Sequence, residues 1–428
     1  MTTSRPDPSP FDATLAELDP EVTAAIGGEL ARQRATLDLV ASESVPPRAV
    51  LEAQGSILTA KYADGYPEHR DYDTCEWADE IERLAIDRAK ELFGADHANV
   101  QSYSGSNANA AVLHALCEPG DAVMGFDFAH GGHLTHYGTE TFAGRYYRTV
   151  AYHARREDRL VDMDEVVSLA RTHRPKVLFA GWSCYSRHLE FWRFREIADE
   201  VGAALVVDMA HFAGLVAAGL HPDPVPFADA CTMTVHKTLG GARGGAILCR
   251  RGLAEQIDEA VYPGVQGCPL PHVIAAKAVT FKLAGTDAFR ERMARTIDGA
   301  RTMAEVLVAA EPRTQAPVVT GGTDVHQLLV DLEPAGREGW EMLGRLNKIG
   351  ISANAVALAY DPQLDPKCSG LRLGATALAS RGLRRPEFAA VGGILADALA
   401  AGGEDLDGSL AGRVREITDA FPLYGYLD

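Results

Sequence analysis

The chain has 428 residues, a length that predicts two domains rather than one core. Apolar residues make up 46% of it, yet no run of 18 uncharged apolar residues exists, which argues against a membrane span. The formal net charge of -18 disfavours nucleic acid and anionic membranes as partners, but not a small anionic substrate. Seven dispersed cysteines without a Cys-x-x-Cys pair favour a reducing, cytoplasmic location.

The predicted elements begin after a polar, proline-rich lead, 1–10, which lacks a secretion-signal pattern and which we expect to be disordered. The sequence Asp19-Pro20-Glu21 is typical of a helix start, because it supplies an N-cap, a first-turn proline and an acid that suits the helix dipole. We expect that helix to run to about Arg34.

From about residue 48 to residue 285, short apolar runs alternate with amphipathic stretches. The apolar runs predict buried strands, and apolar residues at a spacing of three to four predict helices. This alternation is typical of a mostly parallel sheet with helices on both faces. The predicted strands include 99–102, 121–126, 176–180, 203–207, 230–235 and 245–249, and the predicted helices include 163–174 and 191–201.

The C-terminal part has a more mixed order. A long amphipathic helix is predicted at 287–310, followed by a strand-like stretch at 324–331 and a helical one at 340–349. This order indicates a smaller α+β domain. The predicted organisation is an N-terminal arm at 1–47, a large domain at 48–285 and a small domain at 286–428.

The strongest chemical signal is a lysine at the end of a predicted strand. Lys237 follows the apolar run 230–235 and precedes the glycine-rich stretch 240–245. Such a lysine has little side-chain freedom, and burial or neighbouring positive charge lowers its pKa as Schiff-base chemistry requires. An ordinary strand-end lysine is the alternative, and its context decides between the two.

Two motifs upstream supply that context. Asp208 ends the predicted strand at 203–207, and in open α/β sheets ligands bind beyond the carboxyl ends of the strands. An aspartate there suits a pyridinium nitrogen, with a helix N-cap as the alternative role. Ser104-Gly105-Ser106 precedes an alanine-rich helix, whose N-terminal N–H groups predict a phosphate cradle. The order and spacing of the three motifs favour one cofactor site.

Three histidines and one arginine complete the set of candidates. His130, His133 and His136 recur at three-residue spacing, but no acidic or cysteine ligand lies close in sequence and Gly131-Gly132 breaks a helix, so we predict no metal. An imidazole stacked on a cofactor ring is the favoured interpretation. Arg372 lies between apolar residues and therefore needs an anion, either a substrate carboxylate or a structural ion pair.

These motifs, in this order, closely resemble those of the serine hydroxymethyltransferase family over about residues 20 to 400. The resemblance implies the fold type I class of pyridoxal-phosphate enzymes, with an α/β large domain and a smaller α+β C-terminal domain. The shared stretches are Leu39-Val40-Ala41-Ser42-Glu43-Ser44, Lys61-Tyr62-Ala63-Asp64-Gly65-Tyr66-Pro67, Ser104-Gly105-Ser106, 130–136, Asp208-Met209-Ala210-His211, 232–245 and Leu371-Arg372-Leu373-Gly374.

The resemblance implies a role for each matching residue. Lys237 is the Schiff-base lysine, Asp208 binds the pyridine nitrogen and His133 stacks on the ring. The implied catalytic residues are Lys237, Asp64, His133 and Tyr72, and the implied substrate-binding residues are Ser42, Arg372 and Tyr72. The implied cofactor-binding residues are Ser104, Gly105, Ser106, His133, Ser183, Asp208, His211, Thr234, His236, Lys237, Tyr62, Gly267 and Cys268. Tyr62 and the Gly267-Cys268 turn are implied to come from a neighbouring subunit, in a homodimer or tetramer.

The departures from the family pattern lie where the family binds tetrahydrofolate. Asp64 replaces a glutamate, which shortens an acid–base arm by one methylene, and Phe128 replaces a leucine. A tyrosine-glycine-rich stretch becomes Asp71-Tyr72-Asp73-Thr74. The turn Gly264-Val265-Gln266-Gly267-Cys268 lacks two family glycines, at Val265 and Cys268. Asn354-Ala355-Val356, with the later Asp365-Pro366-Lys367, lacks a side-chain amide that would bind the pterin ring of tetrahydrofolate.

We therefore expect an enzyme that cleaves and forms the Cα–Cβ bond of β-hydroxy-α-amino acids. The departures favour a folate-independent transaldolase, which moves the glycine unit of L-threonine or L-serine to another aldehyde. An ordinary serine hydroxymethyltransferase is the alternative within the family. A non-catalytic pyridoxal-phosphate-binding regulator and a plain aminotransferase, which would return a ketoacid, are the alternatives from other classes.

Overall fold

A computed structural model describes residues 9–361, 368–401 and 408–427. Residues 1–8 of the predicted lead and the departure at 365–367 lie outside this part of the chain. Pro10 already begins a short 3₁₀ turn, Pro10–Asp12, which the side chain of Ser9 caps by accepting a hydrogen bond from the Phe11 N–H.

The N-terminal segment lies on the surface. Asp19 caps its long helix as predicted, because its carboxylate accepts a hydrogen bond from the Val22 N–H. No residue of that helix is buried, and its apolar side chains Val22 and Ile26 are 45% and 57% exposed. The elements are α1 (Leu15–Leu18), α2 (Pro20–Ala35), β1 (Leu37–Asp38), α3 (Arg48–Gln54), β2 (Gly65–Tyr66) and β3 (His69–Arg70).

The large domain alternates strands and helices, as the sequence predicts. Its buried strands read as continuous apolar runs because helices cover both faces of the sheet. The elements are α4 (Glu76–Phe93), β4 (His97–Asn99), α5 (Gly105–Leu116), β5 (Ala122–Phe126), α6 (Leu134–Tyr137), α7 (Phe142–Tyr146), β6 (Arg148–Tyr152), α8 (Met163–His173), β7 (Val177–Gly181), α9 (Phe191–Val201), β8 (Ala204–Asp208), α10 (Ala213–Ala217), β9 (Ala230–Thr234), β10 (Gly245–Cys249), α11 (Ala254–Glu259) and α12 (Pro271–Ala284).

The sheet order places the site. The seven strands run β4-β10-β9-β8-β7-β5-β6. Strands β9, β8, β7, β5 and β6 are parallel, whereas β10 is antiparallel to both of its neighbours. The carboxyl ends of β8 and β9 are therefore adjacent, and the side chains that follow them open into the same crevice.

The small domain has its own core. Its three-stranded sheet, β11-β14-β13, is antiparallel. Strand β1 pairs with β12, so the segment after α2 joins this core rather than forming part of a separate arm. The elements are α13 (Asp287–Thr314), β11 (Gln327–Asp331), α14 (Gly339–Lys348), β12 (Ile351–Ser352), β13 (Asn354–Val356), β14 (Gly370–Gly374), α15 (Thr376–Arg381), α16 (Arg385–Ala400) and α17 (Gly408–Ala420).

Helix α13 connects the two cores. Its first half contributes Phe289, Met293 and Ile297 to the large core, and its second half contributes Met303 and Leu307 to the small one. The division at residue 285 therefore stays a proposal, and the two separate cores support it. None of the helices within the described ranges is long and apolar enough to cross a membrane.

One predicted strand is wrong by several residues. A strand was expected at 99–102, but β4 ends at Asn99. The reason is a lysine: the Nζ of Lys277 on α12 binds the carbonyl oxygens of Val100 and Ser102 at 2.6 and 2.9 Å. These two carbonyls, on alternate residues, are turned toward a buried ammonium group.

Candidate active site

Asp208 is the last residue of β8, and its carboxylate is buried. One oxygen, Oδ2, accepts hydrogen bonds from His136 Nε2 at 2.9 Å and from Asn109 Nδ2 at 2.8 Å. The other, Oδ1, accepts from the Ala210 N–H at 2.9 Å. Burial alone raises the pKa of Asp208, but the hydrogen bond and charge of His136, with the bond from Asn109, hold the pKa well below its usual range. Asp208 is thus a buried carboxylate that stays ionised.

Lys237 lies three residues after β9, in the crevice beyond its carboxyl end. Burial lowers the pKa of Lys237 to about 8, with Asp208 opposing this shift and Arg372 adding to it. The lowered pKa gives Lys237 a larger neutral fraction near neutral pH than an ordinary lysine has, as a nucleophilic lysine needs. The predicted pairing of Lys237 and Asp208 in one crevice agrees with this geometry.

The predicted phosphate cradle forms the first turn of α5. Ser104 is its N-cap, and its hydroxyl oxygen accepts a hydrogen bond from the Asn107 N–H at 3.1 Å. At Gly105 a Cβ would lie 2.6 Å from the Cγ2 of Thr234, so only glycine lets α5 start this close to β9. Ser106 is exposed, and the free N–H groups of this turn favour an anion.

Two histidines flank the crevice. His133 caps α6, and its Nδ1 lies 2.6 Å from the Thr135 hydroxyl. Burial and the charge of His136 lower the pKa of His133 to about 4. Burial and the positive charge of Lys237 also lower the pKa of His211 well below its usual range. Both imidazoles are therefore neutral at pH 7 and suit contact with a flat ring and a polar ring substituent.

Arg372 reaches the crevice from the small domain. It lies in the middle of β14 and is buried. Its Nη1 donates to the Ser183 carbonyl at 3.0 Å, and its Nη2 donates to Asn354 Oδ1 at 2.9 Å. Among the described residues it forms no ion pair with a carboxylate, which excludes the structural ion pair considered from the sequence within this part of the chain. A buried guanidinium without an anion is a site for one.

Two further cofactor candidates, Thr234 and His236, lie at the carboxyl end of β9 and just beyond it. Thr234 ends β9 and donates its hydroxyl hydrogen to the Ala210 carbonyl at 3.1 Å. His236 Nδ1 accepts from the Gly244 N–H at 3.4 Å, and burial lowers the pKa of His236 to about 4. The substrate candidate Ser42 follows β1 and lines a cavity of about 440 Å³ that His236 also lines, whereas Lys237, Asp208 and Arg372 are not among the described residues that line it.

A second group of candidates lies on the surface. Tyr62 and Tyr72 are 62% and 48% exposed, and their rings meet edge to face at 5.8 Å. The negative charge of Asp64 raises the pKa of Tyr72. The Gly267-Cys268 turn adjoins them, since the Ala63 N–H donates to Cys268 Sγ at 3.4 Å. Within the described residues no hydrogen bond or ion pair joins this rim, formed by Tyr62, Asp64, Tyr72 and the Gly267-Cys268 turn, to Lys237 or Asp208.

The histidine run behaves differently from the sequence argument. That argument found no acidic ligand near the run, but the sheet brings Asp208 to it, and ligand atoms of His133, His136 and Asp208 lie within 4.8 Å of one another. His130 points elsewhere, with its Nδ1 accepting from the Ala154 N–H. Hydrogen bonds already engage the three clustered side chains, and the absence of a metal stays a prediction.

These residues fit pyridoxal phosphate. Asp208 would hold the ring nitrogen, the first turn of α5 the phosphate, Lys237 the aldehyde carbon and His133 the ring face. Sequence reasoning missed Asn109, whose amide binds Asp208, Thr135 and Thr232. The signal that could have identified it is a polar asparagine one turn inside an alanine-rich helix. No role was assigned from the sequence to His136, the other side chain that binds Asp208.

The fold and this site define a pyridoxal-phosphate-dependent enzyme of fold type I. The family model described as serine hydroxymethyltransferase matches residues 15–395, and the chain belongs to that family. Similar proteins include serine hydroxymethyltransferases of Nocardia farcinica, 55% identical, and Corynebacterium glutamicum strain R, 54% identical, each over 97% of this chain and 96% of the relative. Serine hydroxymethyltransferase 2 of Mycobacterium tuberculosis is 52% identical over 96% of this chain and 97% of its own. The chain is thus a pyridoxal-phosphate-dependent transferase of this family.

The lowered pKa of Lys237 predicts how the apoprotein reacts with acetic anhydride. Only a neutral amine is acylated, so the rate at Lys237 should rise with pH and level off above about 8. The lysine of a short unstructured peptide, added as a reference, should continue to gain rate up to about pH 10, the range of a free lysine. Peptide mass spectrometry measures both rates in one sample. A common pH profile for the two lysines would contradict the assignment.

Arg372→Ala should weaken the binding of amino acids far more than that of the cofactor. Removing one partner of a buried carboxylate–guanidinium pair costs about 3 kcal/mol or more, roughly 100-fold in affinity. Titration with glycine should show this loss, whereas ethanolamine, an amine without a carboxylate, should bind both proteins alike. Unchanged glycine affinity would make Arg372 a structural residue.

Proposed function

We propose that this enzyme interconverts L-serine and glycine by reversible cleavage of the Cα–Cβ bond, with tetrahydrofolate as the one-carbon acceptor. The observation that carries the proposal is Arg372, a buried guanidinium without a carboxylate partner among the described residues, in the crevice of Lys237 and Asp208. An α-amino acid brings the two groups that this crevice lacks, a carboxylate for the arginine and an amine for the lysine-bound cofactor.

The chemistry follows from orientation. Arg372 and Ser42 hold the substrate carboxylate, which fixes the Cα–Cβ bond relative to the cofactor ring. Asp64 and Tyr72 form the acid–base pair at the β-hydroxyl, where a proton must leave as the aldehyde forms. Bound pyridoxal phosphate supplies the electron sink for the pair left on Cα. Asp208, kept ionised by His136 and Asn109, would pair with the ring nitrogen of the cofactor and favour its protonated form.

This proposal replaces the folate-independent transaldolase as the preferred function. Three relatives with 52–55% identity over nearly their whole length carry the name serine hydroxymethyltransferase, which supports the reaction with serine. The transaldolase stays as a second candidate because of the rim. There Val356 stands where the family has an amide, and Asp71 accepts a hydrogen bond from the Tyr262 hydroxyl at 2.6 Å, adding a carboxylate beside Asp64.

A homodimer with shared sites is part of the proposal. Tyr62, Asp64 and Tyr72 lie on an exposed loop apart from Lys237, and Ile57 and Trp77 beside that loop are 93% and 73% exposed. A second copy of the chain would cover this surface and receive the loop. Each pocket would then combine Lys237 of one chain with Tyr62 and Asp64 of the other. Among the described residues, Cys75, Cys117, Cys184, Cys231, Cys249 and Cys268 are free thiols, which supports a cytoplasmic location.

One assay separates the proposed functions. The enzyme should release glycine from L-serine at least tenfold faster when tetrahydrofolate is present, because the carrier takes up the one-carbon unit. L-Threonine with candidate aldehydes, without tetrahydrofolate, should give a slower reaction. Product analysis by mass spectrometry reads both. Faster formation of a new β-hydroxy amino acid from threonine, indifferent to the carrier, would establish the transaldolase instead. A regulator would release no glycine, and an aminotransferase would release a ketoacid.

Subunit mixing tests the shared site. Tyr62→Ala and Lys237→Ala proteins should each be inactive or severely slowed. Heterodimers of the two should contain one intact pocket and recover up to half of the turnover of the unmodified dimer. Tagged subunits and native mass spectrometry verify that exchange occurs. Exchange without recovery would show that each chain builds its own pocket.

A further inference from the structure

A buried ion cluster lies behind the loop that carries Asp64. Arg70, at the end of β3, has a side chain that is only 4% exposed. Its Nε donates to Asp79 Oδ1 at 2.8 Å, and its Nη2 donates to Glu82 Oε2 at 2.6 Å. Asp79 and Glu82 lie three residues apart on α4 and so share one face of the helix. The fork of Arg70 fits both carboxylates at once.

The third nitrogen of Arg70 binds the loop itself. Its Nη1 donates to the carbonyl oxygens of Ala63 at 2.8 Å and Gly65 at 2.6 Å, which flank Asp64. Gly65 has a φ of +89°, and a Cβ there would lie 2.2 Å from the His69 carbonyl oxygen. The loop therefore turns sharply just after Asp64, and Arg70 holds both sides of that residue.

Gln101 adds a second clamp. Its Nε2 donates to the Gly65 carbonyl at 2.9 Å and to Glu82 Oε1 at 2.7 Å. The carbonyls on either side of Gln101 are fixed by Lys277, so the amide has a rigid base. Three residues further on, Ser104 begins the phosphate cradle. The same cluster thus joins the Asp64 loop to the cradle.

Stability alone does not account for this cluster. Buried ion pairs are weak stabilisers, because the cost of removing charges from water offsets most of their attraction. Beyond these pairs, Arg70 Nη1 and Gln101 Nε2 both donate to the backbone of one short loop. Asp64 is one methylene shorter than the glutamate of the family, and a placement error near 1 Å costs on the order of 10²-fold in rate. A short acid needs a well-fixed backbone.

We propose that Arg70, Glu82 and Gln101 are positioning residues for Asp64. They hold the backbone on both sides of Asp64, so that its carboxylate takes one fixed position in the pocket of the neighbouring subunit. This inference rests on the proposed function, in which Asp64 exchanges a proton with the β-hydroxyl group. None of the three touches substrate or cofactor.

The first test uses Gln101→Met, which keeps side-chain volume and leaves the pairs of Arg70 with Asp79 and Glu82 in place. We expect kcat for serine cleavage to fall at least tenfold. KM for L-serine and the visible absorbance of the bound cofactor should stay unchanged, because Arg372 and Lys237 lie in the crevice and not on the Asp64 loop. Amide hydrogen exchange over 62–71 should become faster in the holoenzyme. Arg70→Lys, which keeps the charge but loses the fork, should act in the same direction.

The matched control is Arg83→Gln. Arg83 lies on α4 next to the cluster and reaches Glu68 of the same loop at 3.2 Å, but its side chain is 41% exposed. It should change neither hydrogen exchange over 62–71 nor kcat. Unchanged exchange over 62–71 in Gln101→Met would overturn the proposal. Because exchange is read without turnover, this result stands whether or not serine is the substrate.

Subunit mixing then separates positioning of Asp64 from an effect on the phosphate cradle. In a heterodimer of Gln101→Met with Lys237→Ala, the pocket that keeps Lys237 receives its Asp64 loop from the chain with Gln101. That pocket should turn over at the rate of an unmodified pocket. A slow pocket would mean that Gln101 acts through Ser104 of its own chain, and would overturn the proposal. The heterodimer of Tyr62→Ala with Lys237→Ala shows whether pockets are shared at all.

Discussion

The carboxylate of Asp208 is buried at the end of β8, and it stays ionised only because hydrogen-bond donors from several elements surround it. Asn109 reaches it from α5 and His136 from α6, while the Ala210 N–H closes the turn beyond the strand. The start of α5 is thereby fixed against β9, so the phosphate cradle and the ring-nitrogen partner keep one spacing. The need to stabilise the charge of Asp208 therefore also sets the distance between the two groups proposed to bind the ring nitrogen and the phosphate of the cofactor.

Much of the large domain was predictable because its signals are local. Buried strands in a parallel sheet are continuous apolar runs, and each observed strand from β5 to β10 that was predicted lies within one or two residues of its expected place. The crevice shared by Asp208 and Lys237 followed from strand polarity alone. The pairing of β1 with β12 did not, because contacts between distant segments leave no periodic trace in either segment.

Two buried arginines show why site residues were harder to predict than elements. Arg70 lies among polar residues in sequence and Arg372 among apolar ones, yet it is Arg70 that meets two carboxylates on α4, whereas Arg372 meets only neutral oxygens and Cys184. Only the tertiary structure shows which buried arginine has a carboxylate partner within the chain. An arginine with such partners can fix the backbone around it, whereas one without them can bind an anionic ligand.

The candidate site has a buried floor around Asp208 and an exposed rim, and the departures expected from the resemblance lie on the rim. On the floor, each side chain has several partners, so a change at Asp208 or Asn109 would leave buried polar groups without hydrogen bonds. On the rim, Phe128 is 45% exposed and Asp71 is held chiefly by the Tyr262 hydroxyl. Substitution there costs the fold little, because few buried contacts are lost. In the proposed reaction the floor would then determine the chemistry at Cα, and the rim would determine the choice of acceptor.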